Sequence, residues 1–400
     1  MASTSSVAIE DKVLKSLEGS RFESVALQKI TEGNVNWSYV AKLCRPLDDG
    51  TEEALIKHGE NFMSSKPDFA LTLTRCVSAK ANANGVGPRF RHSTEADMQQ
   101  RVEEEVLKRL SGCSSFGSGD SGDAYHFRIR TAEALHFDEE NANLVQEYLP
   151  NSINLKQYVL QYYSSQTPAS FEPQCRQLGK AVGAWLKGYV EWSTKQVELR
   201  KVVAENGFAQ EVKRMLNFGF LRGRVDQFPA LLGHDKNIFD KLEQMAEVEL
   251  QDQSQLQIVH GDLAPGNVIL PNVPMEEGVD IPIFIIDWEC TQLGVLSVDF
   301  GEMVGELYAL RLYKSVPAGL WIMEGFVAAY GHFSEDFAFR AAIQIGTHLL
   351  CVTPASEGWG TPDQIQGVAR VGRDVIVHAW KRDRLWFETS DLACLFKAAV

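Results

Sequence analysis

Three side chains are spaced as phosphoryl chemistry requires. Asp262 and Asn267 stand five residues apart in HGDLAPGN, residues 260–267, and Asp287 follows the apolar run IPIFII. Moving a phosphoryl group needs one carboxylate to orient an attacking hydroxyl and accept its proton. It also needs hard oxygen ligands to hold Mg²⁺ against nucleotide phosphates. Asp262 is the candidate base, and Asn267 and Asp287 are the candidate metal ligands. Taken singly, Asp and Asn in a Gly/Pro loop are turn formers, and an Asp after a strand is often a helix cap. Their combination with two flanking apolar runs favours the chemical reading.

Protein kinases carry HRDxxxxN in the catalytic loop and a second metal-binding Asp in DFG. Here HGD replaces HRD, DWE replaces DFG and no APE motif follows, which points away from protein kinases. Around this centre His260 is expected to pack beneath the loop, Asp299 to cap a helix or brace the loop, and Trp288 to form wall. Glu289 is a further candidate for metal or substrate.

ATP as phosphoryl donor needs ligands of its own. Lys57 lies at the end of the strand-like EALIKHG, where a kinase places its phosphate-pairing lysine. It needs an acidic partner on the next helix, for which Glu103 is the first candidate and Glu105 the second. TEGNVN, residues 31–36, joins two strands and is either a plain hairpin turn or a loop whose amides, around Gly33 and Asn34, cover the phosphates. QEYLP, residues 146–150, falls where an adenine-reading hinge belongs, with Gln146 and Tyr148 contributing through the backbone.

The elements that must position these residues follow from periodicity. IEDKVLKSL puts Ile9, Val13 and Leu17 on one helical face. SVALQKI, WSYVAKL and EALIKHG read as an antiparallel meander, followed by a helix on which Val102, Val106 and Leu110 recur. FRIRTAEALHFD and ANLVQEYLP read as two further strands. From residue 172 helical patterning dominates, with Leu178, Val182, Trp185, Leu186 and Tyr189 in one stripe. Two short strands flank the catalytic loop, and helices return from about Val298. The predicted class is α+β: a nucleotide-binding N-terminal lobe over 1–146, a small antiparallel sheet with one helix. A hinge follows over 147–151, then a large, mainly helical lobe over 152–400 for catalysis and acceptor binding. The Gly/Ser-rich stretch 111–124 reads as a connector.

Composition bounds the partners. A net charge of −14 argues against nucleic acid and anionic membrane surfaces and suits a cationic acceptor. Seven cysteines without CxxC spacing suggest a reducing compartment. With no signal-peptide pattern and no run near the ~18 apolar residues of a membrane span, a cytoplasmic location is expected.

From about Glu23 to Trp380 the chain resembles the methylthioribose-kinase-like branch of the aminoglycoside phosphotransferase and choline kinase superfamily, which includes fungal hydroxytryptamine kinases. The resemblance rests on GNVN at 33–36, LIKHGE at 55–60, SSKPDF at 64–69, HGDLAPGNVIL at 260–270, IIDWE at 285–289 and IGTHLL at 345–350. It implies a bilobal kinase-like fold and ATP-dependent, Mg²⁺-dependent phosphorylation of a small hydroxylated metabolite. It also implies that Glu103, four residues before Leu107 and seven before Leu110, is the partner of Lys57. Against the family pattern, the phosphate loop has one glycine where relatives often have two. Trp321, His348, Trp359 and Trp380 are candidates to line a pocket for a ring or an amine. A relative that binds nucleotide without turnover is the alternative; its usual mark, loss of Lys57, Asp262, Asn267 or Asp287, is absent.

Overall fold

Trp37, Tyr39, Ala41 and Leu43 occupy every second position of one strand, and all four are buried. This is the alternation of a pleated strand with one face on a core. The strand, β2 (Trp37–Leu43), pairs antiparallel with β1 (Ser24–Lys29) on one side and β3 (Glu53–His58) on the other. The structure, a computed structural model, describes residues 2–30, 36–60, 95–111, 116, 124–355 and 359–397. It divides into two compact units, 1–112 with 132–150 and 113–131 with 151–400.

In the first unit β6 (Asn143–Glu147) pairs with β3, and β5 (Ala134–Asp138) pairs with β6, giving the antiparallel order β1-β2-β3-β6-β5. Helix α1 (Ala2–Leu17) lays Ile9, Val13 and Leu17 into one cluster with Trp37, Tyr39 and Ile56. Because side chains alternate along a strand, the residue after Ile56 faces away from that cluster. That residue is Lys57, and helix α2 (Glu95–Ser111), with Val102, Val106 and Leu110 buried as its spacing predicts, brings Glu103 to it.

The second unit begins with β4 (His126–Thr131), which pairs parallel with β10 (Asp280–Ile285) rather than joining the first sheet. FRIRTAEALHFD is thus two strands, β4 and β5, separated at Ala132-Glu133 and assigned to different sheets. β9 (Val268–Pro271) and β7 (Ser152–Asn154) complete the order β4-β10-β9-β7, while β8 (Gln257–Val259) pairs with β11 (Gln292–Gly294). The helices are α3 (Leu155–Tyr162), α4 (Glu172–Ser193), α5 (Val197–Val203), α6 (Gly207–Arg214), α7 (Leu221–Gln227), α8 (Pro229–Leu232) and α9 (Lys236–Gln251). After the strands come α10 (Ser297–Lys314), α11 (Ala318–Tyr330), α12 (Glu335–Thr347), α13 (Pro362–Trp380) and α14 (Arg384–Glu388).

The stripe of α4 is core: Leu178, Val182, Trp185, Leu186 and Tyr189 are all buried. Its other close contact is backbone to backbone. A Cβ at Gly179 or Gly183 would fall on the carbonyl oxygens of Ile322 and Phe326, so the two glycines let α4 and α11 cross at this distance. The α+β class and the split between a small antiparallel sheet and a mainly helical body agree with the sequence. Among the described residues, no helix is long and apolar enough to cross a membrane.

Candidate active site

The loop between β8 and β9 is tied from beneath. Asp299, in the first turn of α10, accepts from the backbone N–H of His260 at 2.7 Å and of Gly261 at 2.8 Å. His260 is fully buried and packs against Trp288, ring centroids 4.4 Å apart and the planes tilted by 50°. Its Nε2 lies 2.9 Å from the Ile286 carbonyl oxygen, which fixes Nε2 as the donor; Nδ1 therefore accepts from the Asp262 N–H at 3.2 Å. Burial lowers the imidazole pKa, although Asp299 and Asp262 oppose this, so the ring stays neutral. His260 and Asp299 are the braces the sequence suggests, and Trp288 is packed in the core with Trp185 and Tyr189.

Asp262 is held at both oxygens. Asn267 Nδ2 donates to Oδ2 at 3.0 Å and to the Asp262 backbone carbonyl at 2.8 Å, while Lys213 Nζ meets Oδ1 at 3.1 Å. Crowding by the protein pushes this carboxyl upward, but Lys213, His260 and Asn267 together hold it below the usual carboxylate range. Its side chain is still 43% exposed, so an incoming group can reach it.

Asn267 is joined to the strand end that carries Asp287, because the Ile286 N–H donates to the Asn267 carbonyl at 3.1 Å. Asp287 itself takes the left-handed conformation, φ 69° and ψ 53°. Asp is one of the few residues with a side chain that adopt this conformation, and backbone in sparsely populated regions gathers at functional positions. Both hydrogens of the Asn267 amide go to Asp262, so Oδ1 is the atom that would hold a metal. An amide oxygen and one carboxylate are the sparse hard-oxygen set that suits Mg²⁺, which takes its remaining ligands from phosphates and water. Glu289 is buried, with its backbone carbonyl bound by Asn206 Nδ2 at 3.1 Å.

In the first unit Lys57 Nζ lies 2.8 Å from Glu103 Oε1, and Gln146 Nε2 donates to the same oxygen at 2.9 Å. Gln100 Nε2 donates to the Lys57 carbonyl, fixing the strand end as well. Glu105 instead faces Arg109. Lys57 and Glu103 are both buried. Desolvating such a pair consumes much of its Coulombic gain, and apolar residues would stabilise the fold as well, so stability alone does not explain it. Tyr148 is half-buried, its hydroxyl pKa raised by burial and by Glu53. Gly33, Asn34 and SSKPDF lie outside the described residues.

Around Lys213 the structure holds residues that the sequence reading passed over. Glu302 takes the Lys213 ammonium on both oxygens at 2.7 Å, and Glu306, one turn further along α10, accepts from His348 Nε2 at 2.8 Å and Lys156 Nζ at 3.2 Å. Lys156 in turn lies over the ring of Trp359, 4.0 Å from its centroid. The available signal was two glutamates four apart, following Asp299, inside the largely apolar VDFGEMVGELYAL. Among the acceptor candidates, His348 and Trp359 are buried here, and Trp321 and Trp380 are partly exposed.

Burial alone would raise Glu306, but the His348 ring and Lys156 outweigh it and bring the carboxyl down to about 2. An unfolded glutamate titrates near 4.3. The folded value is the lower one, so this contribution to stability is complete above that unfolded value and fades as pH falls towards 2. Glu306→Gln should therefore lower Tm most near neutrality, and its Tm should approach that of the unmodified protein as pH drops below 4. A gap of constant size across thermal scans from pH 7 to 3 would refute the pairing.

The sequence model of the phosphotransferase enzyme family, APH, matches residues 131–342. The chain is 25% identical over 377 residues to the phosphotransferase FrzJ of Cladobotryum sp, covering 93% of this chain and 92% of that one. It is 21% identical over 353 residues to the 4-hydroxytryptamine kinase of Psilocybe cubensis, covering 86% and 84%. Among solved structures, the GDP complex of aminoglycoside 2'-phosphotransferase-IIIa superposes with a TM-score of 0.45 at 12% identity, covering 94% of this chain and 99% of that one. Choline kinase from Cryptosporidium parvum Iowa II gives 0.43 at 13% identity, covering 98% and 100%.

Proposed function

The chain belongs to the phosphotransferase enzyme family, and from that premise we propose that it transfers the γ-phosphoryl group of ATP to a hydroxyl of a small metabolite. The observation that carries this reading is the placing of the Asp262 carboxylate: held at both oxygens by Lys213 and Asn267, and still open to solvent. Such a carboxylate is set to orient one hydroxyl. As the acceptor oxygen bonds to the γ-phosphorus, the bond from that phosphorus to the bridging oxygen breaks, ADP departs and the hydroxyl proton passes to Asp262.

Asn267 Oδ1 and the Asp287 carboxylate would hold Mg²⁺, which neutralises charge on the phosphates when bound. Lys57, kept in place by Glu103 and Gln146, pairs with the phosphates. Gly33 and Asn34 supply backbone amides to them, and the backbone at Gln146 and Tyr148 reads the adenine. In this reading the first unit binds nucleotide, while the second supplies catalysis and the acceptor site. The two relatives named for 4-hydroxytryptamine direct attention to aromatic and amine-bearing alcohols, which the net charge of −14 also favours. The protein works in the cytoplasm on this reading, with no nucleic-acid or membrane partner.

The test is to incubate purified protein with Mg²⁺-ATP and a panel containing 4-hydroxytryptamine, choline, ethanolamine, methylthioribose and an aminoglycoside, following ADP release and product mass. One panel member should gain a single phosphoryl group. Tight Mg²⁺-ATP binding with no transfer to any of them, nor to water, would favour the non-catalytic binder, and absence of nucleotide binding would overturn both.

A further inference from the structure

The loop HGDLAPGN carries no cation of its own, yet its carboxylate is met by one brought from elsewhere in the chain. Lys213 comes from the last turn of α6, and its side chain is 11% exposed. Burial pulls its pKa down, but Glu302 and Asp262 outweigh this and keep it above the usual lysine range, so the ammonium is permanent. Its three hydrogens match three contacts: Asp262 Oδ1 at 3.1 Å and the two Glu302 oxygens at 2.7 Å. An ammonium so committed has no donor left for a nucleotide. What it can act on is Asp262.

Two further features of the fold converge on the same residue. One is the face of α10. Asp299, Glu302 and Glu306 follow one another at helical spacing, and all three are buried. The first braces the loop backbone, the second holds Lys213 and the third holds His348, so a single helix face sets the height of the loop and of its cation together. The other is local helix geometry. π-helical turns are rare and tend to mark functional sites. One, Met215–Gly219, begins two residues after Lys213, and a second, His348–Val352, begins at His348; the two pack against each other. Asn217, in the first of them, donates to the Lys213 carbonyl at 3.0 Å.

We propose that Lys213 is a positioning residue for the transfer, a cation anchored by Glu302 that fixes the Asp262 carboxylate in the direction of the acceptor hydroxyl. This rests on the reading of Asp262 as the base. With Asn267 on Oδ2 and Lys213 on Oδ1, rotation of the carboxylate breaks one contact or the other. Removing the ammonium frees that rotation while Asn267, Asp287 and Lys57 are untouched, so the loss belongs to the chemical step and not to nucleotide binding.

The experiment compares Lys213→Met, Lys213→Arg and Glu302→Gln by crystallography and by ADP release from Mg²⁺-ATP, with water and the acceptor panel as phosphoryl acceptors. In Lys213→Met the Asp262 carboxylate should leave its place, with kcat falling about tenfold or more and KM for ATP unmoved. Lys213→Arg should restore both position and most of the rate. Glu302→Gln, which keeps the lysine but loosens its anchor, should shift Asp262 in the same sense by less, and it serves if Lys213→Met does not fold. In the Asp262→Asn background Lys213→Met should cost nothing more, because the two residues act as one unit. An Asp262 carboxylate unmoved in Lys213→Met, or an equal loss in both backgrounds, would overturn the proposal. Full turnover by Asp262→Asn alone would instead overturn the assignment of the base.

Discussion

Asp262→Asn is expected to lower kcat by about 10³-fold, within the range a positioned general base supplies, while Mg²⁺-ATP affinity stays within about a factor of two. The two effects separate because of what the amide can still do. Its oxygen can accept from Asn267 or from Lys213, and Lys213 keeps both Glu302 oxygens, so the loop retains its supports in Asp299 and His260. What is lost is the negative charge that draws the hydroxyl proton. Nucleotide binding is assigned to Lys57, Asn267 and Asp287, none of which changes. Calorimetric titration with Mg²⁺-ATP beside single-turnover ADP release measures the two quantities independently. Turnover at the parental rate would remove Asp262 from the chemistry, whereas a parallel collapse of affinity would mean that the carboxylate helps hold the metal.

The residues most legible in the sequence are those whose partners lie close by in the chain. Asp262 and Asn267 are five apart and meet side chain to side chain, so their spacing nearly is their geometry. Lys57 and Glu103 lie 46 residues apart, yet a strand end and a helix face define each position, and the structure joins them at 2.8 Å. Lys213 offered no such cue. It sits in an ordinary charged helix, and nothing in that helix announces Glu302, 89 residues further on. The separation of β4 from β5 escaped for the same reason: the parallel partner of β4 is β10, and parallel pairing is set by a distant segment rather than by a turn. The two π-helical turns leave no periodic trace in so few residues.

The substitution of HGD for HRD reads in the sequence only as a family difference; the structure gives it a physical cause, which Gly261→Ala tests. Gly261 has φ +84°, and a Cβ built on it would fall on the carbonyl oxygen of Cys290, with the side-chain nitrogen of Gln292 only 3.0 Å away. The Gln292 side chain can move aside, but no rotamer change relieves the positive φ or the clash with Cys290, since that obstacle is backbone and the added atom is the first carbon of any side chain. The loop must then lift away from the segment that follows Asp287, and the Gly261 N–H contact to Asp299 at 2.8 Å goes with it. Lifting carries Asp262 from its place between Lys213 and Asn267, and a displacement of about 1 Å can cost about 10²-fold in rate. Gly261→Ala should lose at least that much turnover with lowered Tm, while Gly266→Ala, where an added Cβ meets nothing within 4 Å, should lose far less. Circular dichroism, thermal scans and ADP release on the two variants decide it. Equal losses would mean that the loop merely tolerates no added bulk; a large loss confined to Gly261 would show that its close approach to Cys290 sets the position of the base.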